Sequence, residues 1–226
     1  MKKLKAGDIF TSFTNEKYYV VKVIDIDEEF NVYHISMFGP FEKPPENTPK
    51  NREKIFALHL PVQDLKTDNV LGNIPPTGQE IKAYDEFLKI TNFKKYIERN
   101  NFKVEDVANE ANAEFALGNE KYEQANYKDA IYHFSNALNI YPGFFEAADN
   151  RGLSRMALGE LPDAIKDFEF STMVNPDSHI SYSCIGECYY HLKDFKKSKE
   201  YFLKAQEVNP DDEVIIDFLG RLEELD

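Results

Sequence analysis

Three side chains that can bind a metal ion or take part in redox chemistry lie close together in CIGECYYH, residues 184–191. Cys184, Cys188 and His191 are spaced by four and three residues, so a helix would place all three on one side. Thiol and imidazole groups on one helix face are typical of a zinc site, or of a reactive thiol beside a base. Whether they form such a site depends on the elements that position them.

A 34-residue repeat organises the chain from residue 111 onward. Glycine, proline, phenylalanine and small residues each recur at this spacing, which defines copies at 111–144, 145–178 and 179–212 and a partial copy at 213–226. Each copy has the hydrophobic pattern of two helices joined by a short turn. Glycine inside a helix costs about 1 kcal/mol relative to alanine. The repeated glycine therefore predicts a close contact between the two helices of each copy.

Residues 117–142, LGNEKYEQANYKDAIYHFSNALNIYP, resemble a tetratricopeptide repeat. The likeness extends over 111–226, with departures at Arg151, where a leucine is usual, and at Lys121 and Arg155, where an aromatic residue is usual. It implies a superhelix of stacked helix pairs whose first helices line a concave groove, and in this family the groove commonly holds a peptide. The last segment, 213–226, resembles the solvating helix that caps such arrays.

The resemblance assigns groove-facing positions in each repeat. The predicted peptide-binding residues are Phe115, Asn119, Tyr122, Glu123, Glu146, Asp149, Asn150, Leu153, Ile180, Cys184, Glu187, Tyr190 and His191. Family members that bind chaperone C-termini hold the terminal carboxylates with two asparagines and three basic residues. Asn119 and Asn150 fill the asparagine positions, but Phe115, Ile180 and Cys184 fill the basic ones. Without cations to offset carboxylate desolvation, we expect a basic or apolar ligand and not an acidic chaperone tail.

The repeat register gives the Cys-Cys-His pattern a structural interpretation. Cys184 and His191 fall on or near the groove, whereas Cys188 is at a position that packs inward. At 1.5 Å per residue, His191 would lie about 10 Å along the helix axis from Cys184, too far for three ligands to converge on one metal. The sequence also has no phosphate-binding glycine loop or nucleophile elbow. We therefore expect no metal, no cofactor and no enzymatic activity.

Residues 1–76 have the pattern of a small β domain. Segments rich in β-branched and aromatic residues, separated by turn signals, predict four or five strands; these segments are 6–13, 17–27, 30–38 and 54–62. Such a domain would be a bent sheet or barrel-like. The Pro-rich loop at 39–51 is either a disordered connection or a binding loop. His34 and His59 lie in predicted strands, where we expect structural roles for both.

A third segment, 77–110, is predicted to be helical. It opens with a capping-box-like pattern, Thr77 followed by Glu80, and we expect its helices to pack on the first repeat. The predicted fold class is thus α+β multidomain, with a β domain at 1–76, connecting helices at 77–110, and a repeat domain of three repeats and a capping helix at 111–226.

Charge and composition limit the partners. The formal net charge is −13, and residues 111–226 contain 11 Lys/Arg against 22 Asp/Glu. This acidity argues against nucleic acid or an anionic membrane as partner. Two cysteines form no disulfide framework, and the sequence shows neither a signal peptide nor a membrane-spanning run. We therefore expect a cytoplasmic protein of unknown oligomeric state.

Two functions remain from these patterns. The first is a non-enzymatic adaptor that binds a protein or peptide segment in the repeat groove. The second follows from scattered blocks in 1–76, such as GDIF and YYVVKV, which faintly resemble small β domains of bacterial immunity proteins. That resemblance implies a bacterial inhibitor whose β domain blocks a toxin or an enzyme.

Overall fold

The computed structural model describes four ranges of the 226-residue chain: 4–27, 32–43, 55–63 and 69–224. The chain divides into two compact units, Met1–Arg99 and Asn100–Asp226. The described part of the first unit consists of strands and two helices. The described part of the second unit contains helices and no strands. The predicted α+β architecture is confirmed. Most of the Pro-rich loop at 39–51 lies outside the described residues.

The described strands form one antiparallel sheet with the order β4-β3-β2-β1-β5. Their bounds are β1 Asp8–Thr14, β2 Lys17–Asp27, β3 Val32–Phe41, β4 Ile55–Val62 and β5 Asn69–Asn73. The central strand β2 buries apolar side chains on both of its faces. Val21 and Val23 pack with Phe10 on one face, while Ile24 packs with Tyr84 on the other. The apolar run of β2 from Tyr18 to Ile24, interrupted by Lys22, reflects this two-sided burial.

Two helices complete the first unit, α1 (Gly78–Thr91) and α2 (Phe93–Arg99). The predicted capping box forms at the start of α1, where the Thr77 N–H donates to Glu80 Oε2 at 2.7 Å and the Glu80 N–H donates to Thr77 Oγ1 at 3.4 Å. Tyr84 of α1 is fully buried with Ile24 of the sheet. Because α1 covers the sheet, the first unit extends beyond residue 76, the predicted end of the β domain, to Arg99. Packing of 77–110 on the first repeat stays a prediction.

Three helix pairs and a final helix form the described part of the second unit. Their bounds are α3 Val104–Glu123, α4 Tyr127–Ile140, α5 Phe145–Ala157, α6 Leu161–Val174, α7 His179–His191, α8 Phe195–Val208 and α9 Glu213–Glu223. The three pairs and the capping helix match the predicted repeats. None of the helices in the described part of the chain is both long and apolar enough to span a membrane.

The repeat glycines lie at close contacts between the paired helices, as predicted. Each glycine faces the phenylalanine sixteen residues later: Gly118 faces Phe134, Gly152 faces Phe168, and Gly186 faces Phe202. A Cβ added to these glycines would lie 2.5, 2.7 and 2.9 Å, respectively, from the nearest atom of the facing ring. All three phenylalanines are buried. The helix-propensity cost of glycine is thus offset by tight packing of the ring.

Candidate functional site

The first helices of the three repeats, α3, α5 and α7, contact one another in succession. Two hydrogen bonds join neighbouring helices: Asn150 Nδ2 donates to Asn119 Oδ1 at 2.8 Å, and Ser181 Oγ donates to Asp149 Oδ1 at 2.8 Å. Three of the predicted binding residues are therefore brought together by the stacking of the repeats. We call the face of α3, α5 and α7 that carries the predicted binding residues the inner surface.

The two asparagines form a pair on the inner surface. Their mutual hydrogen bond uses one donor of Asn150 and one acceptor lone pair of Asn119. Within the described part of the chain, neither side-chain amide makes another hydrogen bond. The pair therefore presents the side-chain amide NH₂ group of Asn119 and the side-chain carbonyl oxygen of Asn150. These two groups can pair with the C=O and the N–H of a peptide backbone.

Asp149 is a half-buried carboxylate held by serine hydroxyl groups. Burial raises its pKa, hydrogen bonds from Ser181 and Ser171 oppose that rise, and the nearby charge of Glu146 adds to it. Ser181 Oγ also lies 2.7 Å from Ser178 Oγ and 3.2 Å from Ser171 Oγ. Sequence reasoning missed these serines, because only the stacking of repeats brings them to Asp149.

Several predicted binding residues contribute mainly to the core between helices. The Phe115 ring centroid lies 4.9 Å from that of Phe144, and Tyr122 packs in the same cluster. Leu153 packs against the buried cluster that contains Cys184. Tyr190 packs against the buried cluster between α8 and α9, and its ring centroid lies 5.4 Å from that of Phe218. All four side chains are half-buried.

The remaining predicted residues are more accessible and mostly acidic. Glu123, Glu146 and His191 are exposed, and the Ile180 side chain is 59% exposed. Glu187 is half-buried, with Oε1 3.6 Å from His191 Nε2. None of the thirteen predicted positions is a lysine or an arginine. A positively charged ligand would therefore be favoured electrostatically on this surface.

Both cysteines are buried in the cluster between the second and third repeats. Burial, together with the nearby charge of Glu187, raises the pKa of each thiol to about 12. The thiol form therefore predominates near neutral pH, whereas a metal ligand or a nucleophile needs the thiolate. Cys188 packs inward as predicted, and in the described residues no three His, Cys, Asp or Glu side chains are grouped to hold a metal.

Two of the departures from the repeat pattern, Arg151 and Arg155, bind one buried carboxylate. Arg151 Nη2 lies 2.7 Å from Asp167 Oδ1, and Arg155 Nη1 lies 2.7 Å from Asp167 Oδ2. Asp167 is only 3% exposed. Arg151 Nη1 also donates to Ser135 in the preceding repeat at 3.1 Å. Charge-assisted hydrogen bonds thus replace the usual apolar contacts at these positions.

A cavity of about 370 Å³ opens beside the N-terminal half of α3 and the start of α5. Its wall includes Ala108, in the part of α3 that precedes the repeat, together with Phe144 and Val174. Glu146 and Asn112 supply polar groups to the same cavity. Sequence reasoning did not find this cavity, since its apolar residues occupy positions outside the assigned groove pattern.

An aromatic cluster joins the sheet of the first unit to α1. His34 Nδ1 lies 3.0 Å from His59 Nε2, and the ring of Tyr84 lies 4.4 Å from that of His34. Burial lowers the pKa of both imidazoles, that of His59 to about 4. Near neutral pH both rings are uncharged, and one donates its N–H to the other. This arrangement agrees with the structural roles expected for the two histidines.

Comparisons with known proteins show what the repeat segment is similar to. The tetratricopeptide repeat family model matches residues 179–212. Hsp70-Hsp90 organizing protein 2 of Arabidopsis thaliana is 26% identical over 128 residues, which are 57% of this chain and 22% of that protein. Human Tetratricopeptide repeat protein 6 is 30% identical over 71 residues, which are 31% of this chain and 14% of that protein. This chain therefore spans about a fifth of the length of the organizing protein.

Solved structures show the same fold. The first TPR of Spaghetti (RPAP3), bound to the HSP90 peptide SRMEEVD, has a TM-score of 0.51 at 19% identity, covering 52% of this chain and 94% of that one. The Arabidopsis OM64 TPR domain has a TM-score of 0.52 at 16% identity, covering 53% and 99%. The match at residues 179–212, together with the shared fold of the second unit, confirms the resemblance to tetratricopeptide repeats found in the sequence.

Proposed function

We propose that the repeat segment is a non-enzymatic adaptor that binds a basic or apolar segment of a partner protein on the inner surface. The observation that carries this proposal is the half-buried carboxylate of Asp149, which accepts a hydrogen bond from Ser181. None of the thirteen predicted binding positions around it is a lysine or an arginine. The exposed carboxylates of Glu123 and Glu146 add to the negative electrostatic potential near Asp149. A lysine or arginine side chain of the ligand would neutralise this charge.

An acidic chaperone tail does not suit the same surface. At the three positions where a cation would hold such a tail, Phe115 packs beside Phe144, Cys184 is buried, and Ile180 is exposed but apolar. A terminal carboxylate placed there would lose its hydration without gaining a charged partner. The peptide SRMEEVD that RPAP3 holds is therefore not the type of ligand proposed for this chain.

Two further features define the ligand. The Asn119–Asn150 pair supplies a donor and an acceptor for an extended backbone. The cavity beside α3 and α5 can hold one apolar side chain, and Glu146 at that cavity would pair with a neighbouring lysine or arginine. The proposed ligand thus combines an aliphatic or aromatic side chain with nearby positive charge.

A peptide library tests this proposal directly. Hexapeptides that vary basic, acidic and aromatic residues at each position are titrated with the intact chain and with a variant that carries both Glu146→Lys and Glu187→Lys. We expect the parent to select basic and aromatic residues, and the variant to bind the selected peptides about tenfold more weakly at low ionic strength. A variant with Glu160→Lys and Glu207→Lys has the same change in net charge at two other exposed sites and should keep the parent affinity.

Three results would contradict the proposal. They are selection of acidic hexapeptides, saturable binding of SRMEEVD, and equal loss of affinity in the two charge-reversed variants.

The second possible function, an immunity-type inhibitor acting through the β domain, stays a prediction. The same is true of the bacterial origin, the cytoplasmic location, and the exclusion of nucleic acid and membranes as partners.

A further inference from the structure

The outer face of α9 is open at positions that are covered in earlier repeats. In the second repeat Ala148 and Gly152 occupy the fourth and eighth positions, and both are buried. In α9 the equivalent residues are Ile216, which is 49% exposed, and Gly220, which is exposed. Ile216 and Gly220 are four residues apart and therefore lie on one side of the helix. We call the surface formed by Ile216 and Gly220 the open face.

The earlier repeats show what kind of group fits such a face. The glycine of each complete repeat is covered by a phenylalanine of the second helix, and small residues lie four positions before and three positions after that phenylalanine. These phenylalanines, Phe134, Phe168 and Phe202, are at most 1% exposed. Apart from its chain neighbours and the backbone of its own helix, no described atom lies within 4 Å of the point that a Cβ on Gly220 would occupy. The fourth glycine thus leaves room for a ring that the described chain does not supply.

The charge of α9 indicates the charge of the occupant. Glu213, Asp217 and Glu223 are exposed on this helix, and its one arginine, Arg221, forms an ion pair with Asp217. The second helix that covers the third repeat, α8, contains four lysines and two glutamates. A basic helix would therefore be attracted to the exposed carboxylates of α9.

We propose that the open face binds an amphipathic helix of a basic partner protein, with a phenylalanine packed on Gly220 and small residues on either side. The phenylalanine would contact Gly220 and Ile216 as Phe202 contacts Gly186 in the third repeat. This binding surface is separate from the inner surface, and the proposal does not rest on peptide binding there. It assigns to α9 a recognition role in addition to capping the array.

A peptide copied from α8 is a suitable probe, because its sequence already contains the pattern and the lysines. Fluorescein-labelled peptide of residues 194–209 is titrated with the intact chain and followed by fluorescence anisotropy. We expect saturable binding, and a loss of at least about tenfold when the peptide carries Phe202→Ala. Gly220→Leu in the intact chain should weaken binding to a similar degree, because the new side chain fills the space for the ring.

The variant with Glu146→Lys and Glu187→Lys serves as the control, since it changes the inner surface and should leave this peptide's affinity unaltered. The proposal is overturned if no saturation occurs up to about 1 mM peptide, or if the Phe202→Ala peptide binds equally well. Self-association of the chain that Gly220→Leu abolishes, with no peptide binding, would assign the open face to a second copy and also overturn the proposal.

Discussion

Gly152 and Gly220 occupy the same repeat position, yet replacing each with alanine should have opposite effects on stability. Alanine in place of glycine inside a helix contributes about 1 kcal/mol of helix propensity. At Gly152, however, the added Cβ would lie 2.7 Å from the Phe168 ring. That distance is nearly 1 Å shorter than the optimal separation of about 3.5–4.0 Å between carbon atoms.

The Phe168 ring cannot move away without disturbing the core. It is 1% exposed and belongs to the cluster that contains Ile185 and both cysteines. Forcing extra volume into a packed core costs about 1–3 kcal/mol, and an overlap of this size belongs in the upper part of that range. After the gain in propensity, Gly152→Ala should lower the free energy of unfolding by about 1–2 kcal/mol. Gly220→Ala, whose added Cβ would meet no described atom within 4 Å beyond its chain neighbours and its own helix backbone, should raise it by up to about 1 kcal/mol.

Urea denaturation followed by circular dichroism at 222 nm measures both changes. The midpoint should fall for Gly152→Ala and rise for Gly220→Ala, with an unchanged dependence of the free energy on urea concentration. Adding Phe168→Leu to Gly152→Ala should cost less than the sum of the two single changes, because the smaller side chain relieves the overlap. Equal stabilisation by alanine at both glycines would show that the close contact with Phe168 does not determine the glycine at 152.

Two further predictions concern the first unit. Burial lowers the pKa of His34 and His59 in the folded state, so below about pH 6.5 the unfolded chain takes up more protons than the folded chain. The free energy of unfolding should therefore fall as the pH decreases from 6.5 towards 4. Urea midpoints measured across this pH range check the prediction, and His59→Phe should make them less dependent on pH. Glu80→Gln should lower the free energy of unfolding by about 3 kcal/mol, because the Lys22 ammonium, 2.7 Å from the Glu80 carboxylate, would stay buried without a countercharge. Thermal unfolding measures this loss, and adding Lys22→Met to Glu80→Gln should recover part of it; equal melting temperatures for Glu80→Gln and the parent would contradict the reasoning.

The helical architecture could be predicted largely from the sequence, because a fixed spacing encodes a repeated contact. The 34-residue period placed the three helix pairs and indicated that Gly118, Gly152 and Gly186 face a close neighbour. Richness in β-branched and aromatic residues placed four strands, but no segment was assigned to β5. Its five residues, NVLGN, are too short and too polar to show a strand pattern. Its pairing with β1 supplies what the local sequence lacks.

The candidate site was only partly predictable, since a pattern shows which side of a helix is apolar but not what covers it. The repeat register placed Cys184 near the groove, whereas packing between the second and third repeats buries it. Asn119 and Asn150 were expected on one surface, but their mutual hydrogen bond depends on two helices 31 residues apart in sequence.

The sequence by itself determined the class of fold, the repeat boundaries and the acidic character of the repeat segment, because these depend on composition and spacing alone. Only the tertiary structure decided which side chains are available to a ligand. It pairs Asp149 with Ser181 and covers Gly152 with Phe168, while Gly220 at the same repeat position has no described side chain over it. Such differences arise because burial depends on neighbours from distant parts of the chain, which identical local patterns do not specify.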